Sequence, residues 1–297
     1  MRITLHLGSH RCGVGSVLAL ARARRDALRR NGLTVWGPDA LRDGRLTGLS
    51  SAMVDTGRLR GRIGLRGLDL DGRRLAIVAP ELLGPSLTQL ERTCLAPDAP
   101  ARLDRLAAVL GKWCDRIVLA IRDWRSYWTS NILHCAAMGR PLPSPQMLER
   151  LVTQPRSWAR LATEIRERFP GVELIVLPFE RMAGRPDRVL ALIGHELDLP
   201  LGRAERPHVG IGPRGPALAQ LTGKHGAWRP FPPDHEEILY RRYLSDIRSF
   251  RAGADEDISE YSPLRHALRD GPRLRDALSV AQGSCARGAD HGQGEMA

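Results

Sequence analysis

The strongest constraint on how this chain can fold lies in its first sixteen residues. Ile3, Leu5 and Leu7 alternate with polar neighbours and stop at Gly8, the pattern of a short strand. The loop His10 to Gly15 follows, with two glycines and one arginine. Residues 16–30 then place Leu18, Ala21, Arg25 and Leu28 near one helical face, until Asn31-Gly32 stops the helix. A strand that turns through a glycine loop into a helix cannot pair with the next strand by a tight hairpin. In a parallel sheet such a loop sits at the carboxyl edge of the first strand.

The rest of the chain agrees. Leu33-Thr34-Val35-Trp36 is a short strand closed by Gly37-Pro38, and Leu75 to Ala79 is a buried strand ended by Pro80. Arg116 to Ile121 and Val172 to Leu177 complete the set, and helices are expected over about 99–112, 124–138, 145–152 and 156–169. Short apolar strands separated by helices predict an α/β fold, a parallel sheet with both faces covered. The stretch 40–72 is rich in glycine and arginine and reads as loosely helical, then irregular. Past about residue 200 the strands disappear. Pro207 to Pro216 is a connector, and 233–251 is a helix with Ile238, Leu239, Tyr243, Leu244 and Ile247 on its apolar side. Gly283 to Ala297 is small and polar and is expected to be disordered. With no internal repeat, 1–254 reads as one α/β domain and 255–297 as a helical extension and tail. The full length of 297 residues is enough to bury a sizeable core.

Charge narrows the partner class. The chain carries 45 basic and 33 acidic residues, net +12, and only Lys112 and Lys224 are lysines. A codon preference for arginine accounts for much of this, but the distribution adds information. Residues 1–74 hold fifteen arginines against six aspartates and no glutamate. A basic N-terminal quarter suits an anionic ligand such as a nucleotide, a sulfated or phosphorylated substrate, or nucleic acid. The arginines of 40–74 are interleaved with glycine and leucine and form no recognition motif, which argues against nucleic acid. No apolar stretch approaches the roughly 18 to 20 residues of a membrane helix, and the N-terminus lacks an apolar leader, so a soluble cytoplasmic protein without a membrane partner is expected. Cys12, Cys94, Cys114, Cys135 and Cys285 are scattered and never spaced C-x-x-C. Neither a disulfide framework nor a metal site is expected.

The segment Leu5-His6-Leu7-Gly8-Ser9-His10-Arg11-Cys12-Gly13-Val14-Gly15-Ser16 joins a strand to a helix start. The N–H groups of residues 13–16 would point out of the helix N-terminus, where the dipole favours an anion. Gly13 and Gly15 would let the backbone approach a phosphate closely. As a Walker A loop it fails, because lysine is required at Val14 and a hydroxyl at Gly15. This disfavours an ATPase or a kinase. A second element follows strand 116–121, where Arg122 at the strand end and Ser130 two turns into the next helix could converge on one phosphate.

A strand-to-helix phosphate loop with a basic residue two before its glycine, plus an arginine and a serine eight apart after a later strand, resembles the PAPS-dependent sulfotransferases. More narrowly, the chain is similar to the bacterial sulfotransferase-like family. Leu5 to Arg11 resembles its opening. Glu81-Leu82-Leu83-Gly84, Leu95-Ala96-Pro97-Asp98-Ala99, Pro155-Arg156-Ser157-Trp158, Val176-Leu177-Pro178-Phe179-Glu180, Trp228-Arg229-Pro230-Phe231 and Leu244 to Ala254 resemble later landmarks. The match covers about 2–254. It implies a P-loop-like parallel sheet with a helical C-terminal extension, PAPS as sulfuryl donor, and a hydroxyl or amine acceptor that the sequence does not specify. No metal is implied.

Residue by residue, the resemblance implies that Arg11 neutralises the 5′-phosphosulfate and that the loop Cys12, Gly13, Val14, Gly15 and Ser16 cradles it through backbone N–H groups. Arg122 and Ser130 would hold the 3′-phosphate. A fixed cation and backbone donors at the leaving phosphate oxygen would stabilise the transition state, and Glu81 would activate the acceptor as general base. The departures are specific. Val14 and Gly15 stand where the family carries two threonines, and Ala79-Pro80 where it commonly has Ser-Asp. They keep open a catalytically inactive protein that binds a nucleotide or a partner. His10 and His134 are rival bases. Trp124, Tyr127 and Trp128 either stack on adenine, line an acceptor pocket or pack in the core, and Trp228 and Phe231 are expected to pin the C-terminal helix.

Overall fold

The computed structural model describes residues 2–8, 10–42, 74–194, 222 and 228–252. Readings that fall on 43–73, on the connector Pro207 to Pro216 and on 255–297 lie outside the described residues. Nearly all of what is described belongs to one compact unit, Met1–Phe250.

Five strands form the sheet: β1 Arg2–His6, β2 Leu33–Trp36, β3 Arg74–Val78, β4 Cys114–Ile121 and β5 Glu173–Pro178. The described helices in chain order are α1 Val14–Ala23, α2 Arg25–Arg30, α3 Pro38–Arg42, α4 Ser86–Glu91, α5 Ala99–Leu110, α6 Trp124–Ala137, α7 Pro145–Thr153, α8 Trp158–Arg168, α9 Phe179–Met182, α10 Pro186–Ile193 and α11 Pro233–Ala252. Every strand pairing is parallel and the order is β2-β3-β1-β4-β5. The α/β parallel sheet flanked by helices is therefore as expected, with β1 at its centre. Leu5 pairs with Ile77 of β3 on one side and Ile117 of β4 on the other.

Alternation across the pleat sorts the strand residues between two faces. Ile3, Leu5, Leu7, Leu75, Ile77, Ile117, Leu119 and Ile121 enter the main core with Leu103, Leu106, Trp124, Trp128, Trp158 and Leu161 from the helices. His6 and Ala120 turn the other way, toward Val17 of α1 and Val189 of α10.

The helix expected over 16–30 is broken. Arg24, at φ −110°, closes α1 and opens α2, and the break leaves Arg25 exposed while Leu18, Ala21 and Leu28 stay buried. The helix 233–251 is present as α11, with Leu239 and Tyr243 buried. Ile238, placed on its apolar side by periodicity, is instead exposed at 45%. Polar contacts orient α11. Asp246 accepts from the Trp124 indole at 2.9 Å and from the Ala159 N–H at 3.0 Å. Arg242 donates to the carbonyls of Val152, Gln154 and Arg156.

The aromatic question is settled by burial. Trp124, Tyr127, Trp128 and Trp158 are wholly buried, and the Trp124 and Trp158 rings stack with centroids 4.9 Å apart. They belong to the core, with no face left for a base. Phe231 is buried in the same cluster, with Trp228 packed against it.

Candidate functional site

In this strand order the chain leaves β1 toward β2 and leaves β4 toward β5. Neighbouring strands whose connections depart in opposite directions leave a crevice between their carboxyl ends, and open α/β sheets bind ligands in such crevices. Arg11 follows β1 and Arg122 follows β4, so the topology brings them to the same crevice. Glu81, in the 3₁₀ turn Pro80–Leu83 after β3, and Phe179 and Glu180 after β5 share that edge.

The loop from β1 to α1 is anchored at its start. The Leu7 N–H donates to the Val118 carbonyl of β4 at 2.8 Å, and the Gly8 N–H donates to His6 Nδ1 at 3.1 Å. Arg11 takes a left-handed backbone with φ 71°, unusual for a residue with a Cβ and costing about 1–3 kcal/mol. Gly13 caps α1 with φ 85°, and a Cβ there would meet the Phe179 ring at 3.3 Å. Gly15 is exposed, and a Cβ on it would have no atom within 4 Å. The space over the first turn of α1 is therefore open, as close approach of a phosphate requires. Of the four N–H groups expected to face an anion, that of Ser16 instead donates to the Gly13 carbonyl at 3.2 Å. The cradle is narrowed to Gly13, Val14 and Gly15. The side chains of Cys12 and Val14 are buried, so each offers only its backbone to the crevice. Burial pushes the Cys12 thiol up to about 12, which makes it inert as a nucleophile.

The two arginines and Ser130 come together at this edge. Arg11 Nε, not Arg122, donates to Ser130 Oγ, at 3.0 Å. Arg122 uses Nη1 to grip the Arg11 carbonyl at 2.7 Å and Nε to reach Ser126 Oγ at 3.0 Å, while its guanidinium lies over the Phe179 ring at 4.4 Å. These contacts occupy two of the five N–H donors of the fork. Burial, and then mutual repulsion in the case of Arg11, lowers the proton affinity of both guanidiniums, so an incoming anion relieves two desolvated cations.

The peptide bonds flanking Arg122 are also held. Its carbonyl accepts from the Trp158 indole at 3.0 Å, and the next N–H, of Asp123, donates to Glu180 Oε1 at 2.8 Å. Glu180 Oε2 accepts from the Tyr243 hydroxyl at 2.7 Å. Burial raises the Glu180 carboxyl's pKa above the ordinary range while these two donors oppose the rise. Asp123 caps α6 through its own side chain, accepting from the N–H groups of Arg125 and Ser126. Spacing alone did not reveal Ser126, Phe179, Glu180 or Tyr243 as parts of this frame. Phe179 and Glu180 had a signal in their place directly after a strand.

Beneath the loop a cavity of about 30 Å³ is lined by His6, Cys12, Ser16, Ala120, Phe179 and Val189 among others. It has room for one or two water-sized groups, so it cannot take a larger ligand. His6 is buried, and burial lowers its pKa to about 4. His6 and His10 are four residues apart, yet among the described residues no three His, Cys, Asp or Glu side chains are grouped as a metal site. None of the described helices is long and apolar enough to cross a membrane.

No family model and no curated protein matches the chain. Among solved structures it is similar to a sulfotransferase from Alicyclobacillus acidocaldarius, at 14% identity and a TM-score of 0.46, over 87% of this chain and 97% of that one.

Proposed function

We propose that the β1–β4 crevice holds the phosphate groups of PAPS and that the chain transfers its sulfuryl group to a hydroxyl or amine acceptor. One observation carries this reading. Two guanidiniums from the ends of adjacent central strands meet beside an open helix start, Arg11 on Ser130 and Arg122 on Ser126, with Arg122 also gripping the Arg11 carbonyl. The chemistry asks for such a unit. As the S–O bond to the donor breaks, negative charge grows on the leaving phosphate oxygen. A preplaced cation and the N–H groups of Gly13, Val14 and Gly15 would stabilise it without reorganising. In this reading Arg11 faces the 5′-phosphosulfate, and Arg122 and Ser130, each bonded to Arg11, hold the 3′-phosphate. Glu81, whose Oε2 is buried without a hydrogen-bond partner, faces the acceptor.

A second reading, a nucleotide-binding protein without turnover, is favoured by the same loop. The buried Val14 side chain and the bare Gly15 offer no hydroxyl to the sulfuryl group. Calorimetry with PAP, and with ADP as the control lacking a 3′-phosphate, tests both. PAP binding with ADP poor supports a donor site, and release of sulfate from PAPS then separates enzyme from binder. Absence of PAP binding excludes the enzyme, and absence of ADP binding as well excludes the nucleotide binder.

A further inference from the structure

The peptide that follows Arg122 is held at both of its polar atoms by side chains from distant parts of the chain. Its carbonyl accepts from the Trp158 indole at 3.0 Å, and its N–H, which belongs to Asp123, donates to Glu180 Oε1 at 2.8 Å. A peptide is planar, so holding both atoms fixes the plane from which Arg122 projects. The clasp is reciprocal. The Arg122 guanidinium lies over the ring of Phe179, and the next residue, Glu180, takes the N–H next to Arg122.

Both clamps lead back to α11. The Tyr243 hydroxyl donates to Glu180 Oε2 at 2.7 Å. Three residues on, on the same helical face, Asp246 accepts the N–H of Ala159, the neighbour of Trp158. Asp246 also accepts from the Trp124 indole, whose ring stacks on that of Trp158. Tyr243 and Asp246 are buried, so any part they take in binding is indirect. Seating a helix with a buried phenol and a buried carboxylate is costly where apolar side chains would serve. Here both groups end on the one peptide that aims Arg122.

We propose that Glu180 and Tyr243 are positioning residues for the donor: they aim Arg122 into the β1–β4 crevice, and α11 is thereby part of the anion site. This rests on the donor reading given above. A guanidinium held in its binding direction does not lose rotamer freedom when the phosphate arrives, so the clasp adds affinity without touching the ligand.

The test is calorimetry of PAP on the full chain. Glu180→Ala opens the clasp and should weaken PAP about tenfold, and Tyr243→Phe, which removes one hydroxyl, about 2–10-fold. Glu180→Gln keeps a carbonyl for the Asp123 N–H and should bind PAP like the wild type. Charge alone predicts the opposite for Glu180→Ala, because losing a carboxylate beside Arg122 favours an anion there. In an Arg122→Ala background neither Glu180→Ala nor Tyr243→Phe should weaken PAP further, since both act through Arg122. A merely structural role would weaken PAP equally in both backgrounds. PAP binding by Glu180→Ala as tight as wild type, or an equal loss in the Arg122→Ala background, overturns the proposal.

A second measurement needs no ligand and stands if Glu180→Ala fails to fold. With ¹⁵N-labelled arginine, the Nε–H of Arg122, bonded to Ser126, is assigned by its loss in Arg122→Lys. Tyr243→Phe should speed its exchange with solvent about 2–10-fold. The Nε–H of Arg116, bonded to Glu173 of β5, should be unaffected. Unchanged exchange at Arg122, or equal acceleration at both arginines, overturns the proposal. If the wild type does not bind PAP, the donor reading falls, and this exchange alone decides whether Glu180 and Tyr243 hold Arg122.

Discussion

Arg122 Nη1 donates to the Arg11 carbonyl at 2.7 Å, so one arginine fixes the backbone of the other while that backbone sits in a left-handed conformation. The two residues therefore act as one unit. Arg122→Ala removes a charge-assisted bond of about 1.5–3 kcal/mol and should weaken PAP by roughly 10–100-fold. Arg122→Lys should recover little of this, because an ammonium cannot reach Ser126 Oγ and the Arg11 carbonyl as a planar fork does. Unchanged PAP affinity in either variant, read by calorimetry, would remove Arg122 from the site.

Ser130→Ala separates the second link. Arg11 Nε loses its acceptor, and the expected cost is about 0.5–1.5 kcal/mol, or roughly 2–10-fold in PAP affinity. A double-mutant cycle with Arg11→Ala should show coupling of about 0.5 kcal/mol or more, since Ser130 acts through Arg11. Strict additivity would mean that the two residues contribute independently.

Two glycines, one just after β1 and one in the first turn of α1, should behave oppositely. A Cβ on Gly8 would lie 2.4 Å from His6 Cε1, so Gly8→Ala should cost about 1–3 kcal/mol through overpacking. Gly15→Ala meets nothing within 4 Å in the first turn of α1 and should leave stability unchanged or raise it by up to about 1 kcal/mol. The same methyl stands where a phosphate would approach, so PAP binding should weaken. Thermal melts and calorimetry on the pair separate folding from binding.

The two buried histidines fix a pH window. His6 and His10 both have folded-state values lowered from 6.5 to about 4, chiefly by burial. A lowered value means that the unfolded chain binds protons first. The stabilisation is then complete above about 6.5 and drains away as the pH falls toward 4. Urea midpoints should drop steadily across that interval at constant slope, and His10→Asn should flatten the dependence. A midpoint independent of pH there would contradict the burial of both rings.

Asp246 tests the seat of α11. Its carboxylate takes the Trp124 indole N–H and the Ala159 N–H, so Asp246→Ala leaves two donors without an acceptor, at about 1–3 kcal/mol each. Asp246→Asn keeps one carbonyl acceptor and should lose about half as much. Chemical denaturation of the two variants reads the difference.

Much of this architecture was legible because it is carried by local pattern. β3, β4 and β5 lie within one or two residues of their apolar runs, since a strand buried on both faces has few ways to hide other than by being apolar. The break at Arg24 was not legible, because 3.6-residue periodicity continues through it and only contact with the sheet decides which turn faces inward. Spacing also placed Arg122 at the end of β4 and Ser130 on α6, but it did not reveal that Arg11 reaches the Ser130 hydroxyl. Which arginine reaches Ser130 is decided by the left-handed turn at Arg11, a tertiary outcome. Tyr243 and Asp246 lie more than sixty residues from the partners they hold, and nothing in their neighbourhood advertises those contacts.

The central place of β1 has a consequence for synthesis. Its partners β3 and β4 emerge from the ribosome long after it does, and Arg11 and Ser130 are 119 residues apart. At about 5–20 residues per second, the first strand waits on the order of ten seconds before both its edges can be covered. During that interval it is an apolar segment with at least one open edge, the kind of nascent chain that chaperones shield. The β1–β4 crevice comes into being with the docking of β4, so on the proposed function an immobilised PAP resin should capture only chains translated past Ser130.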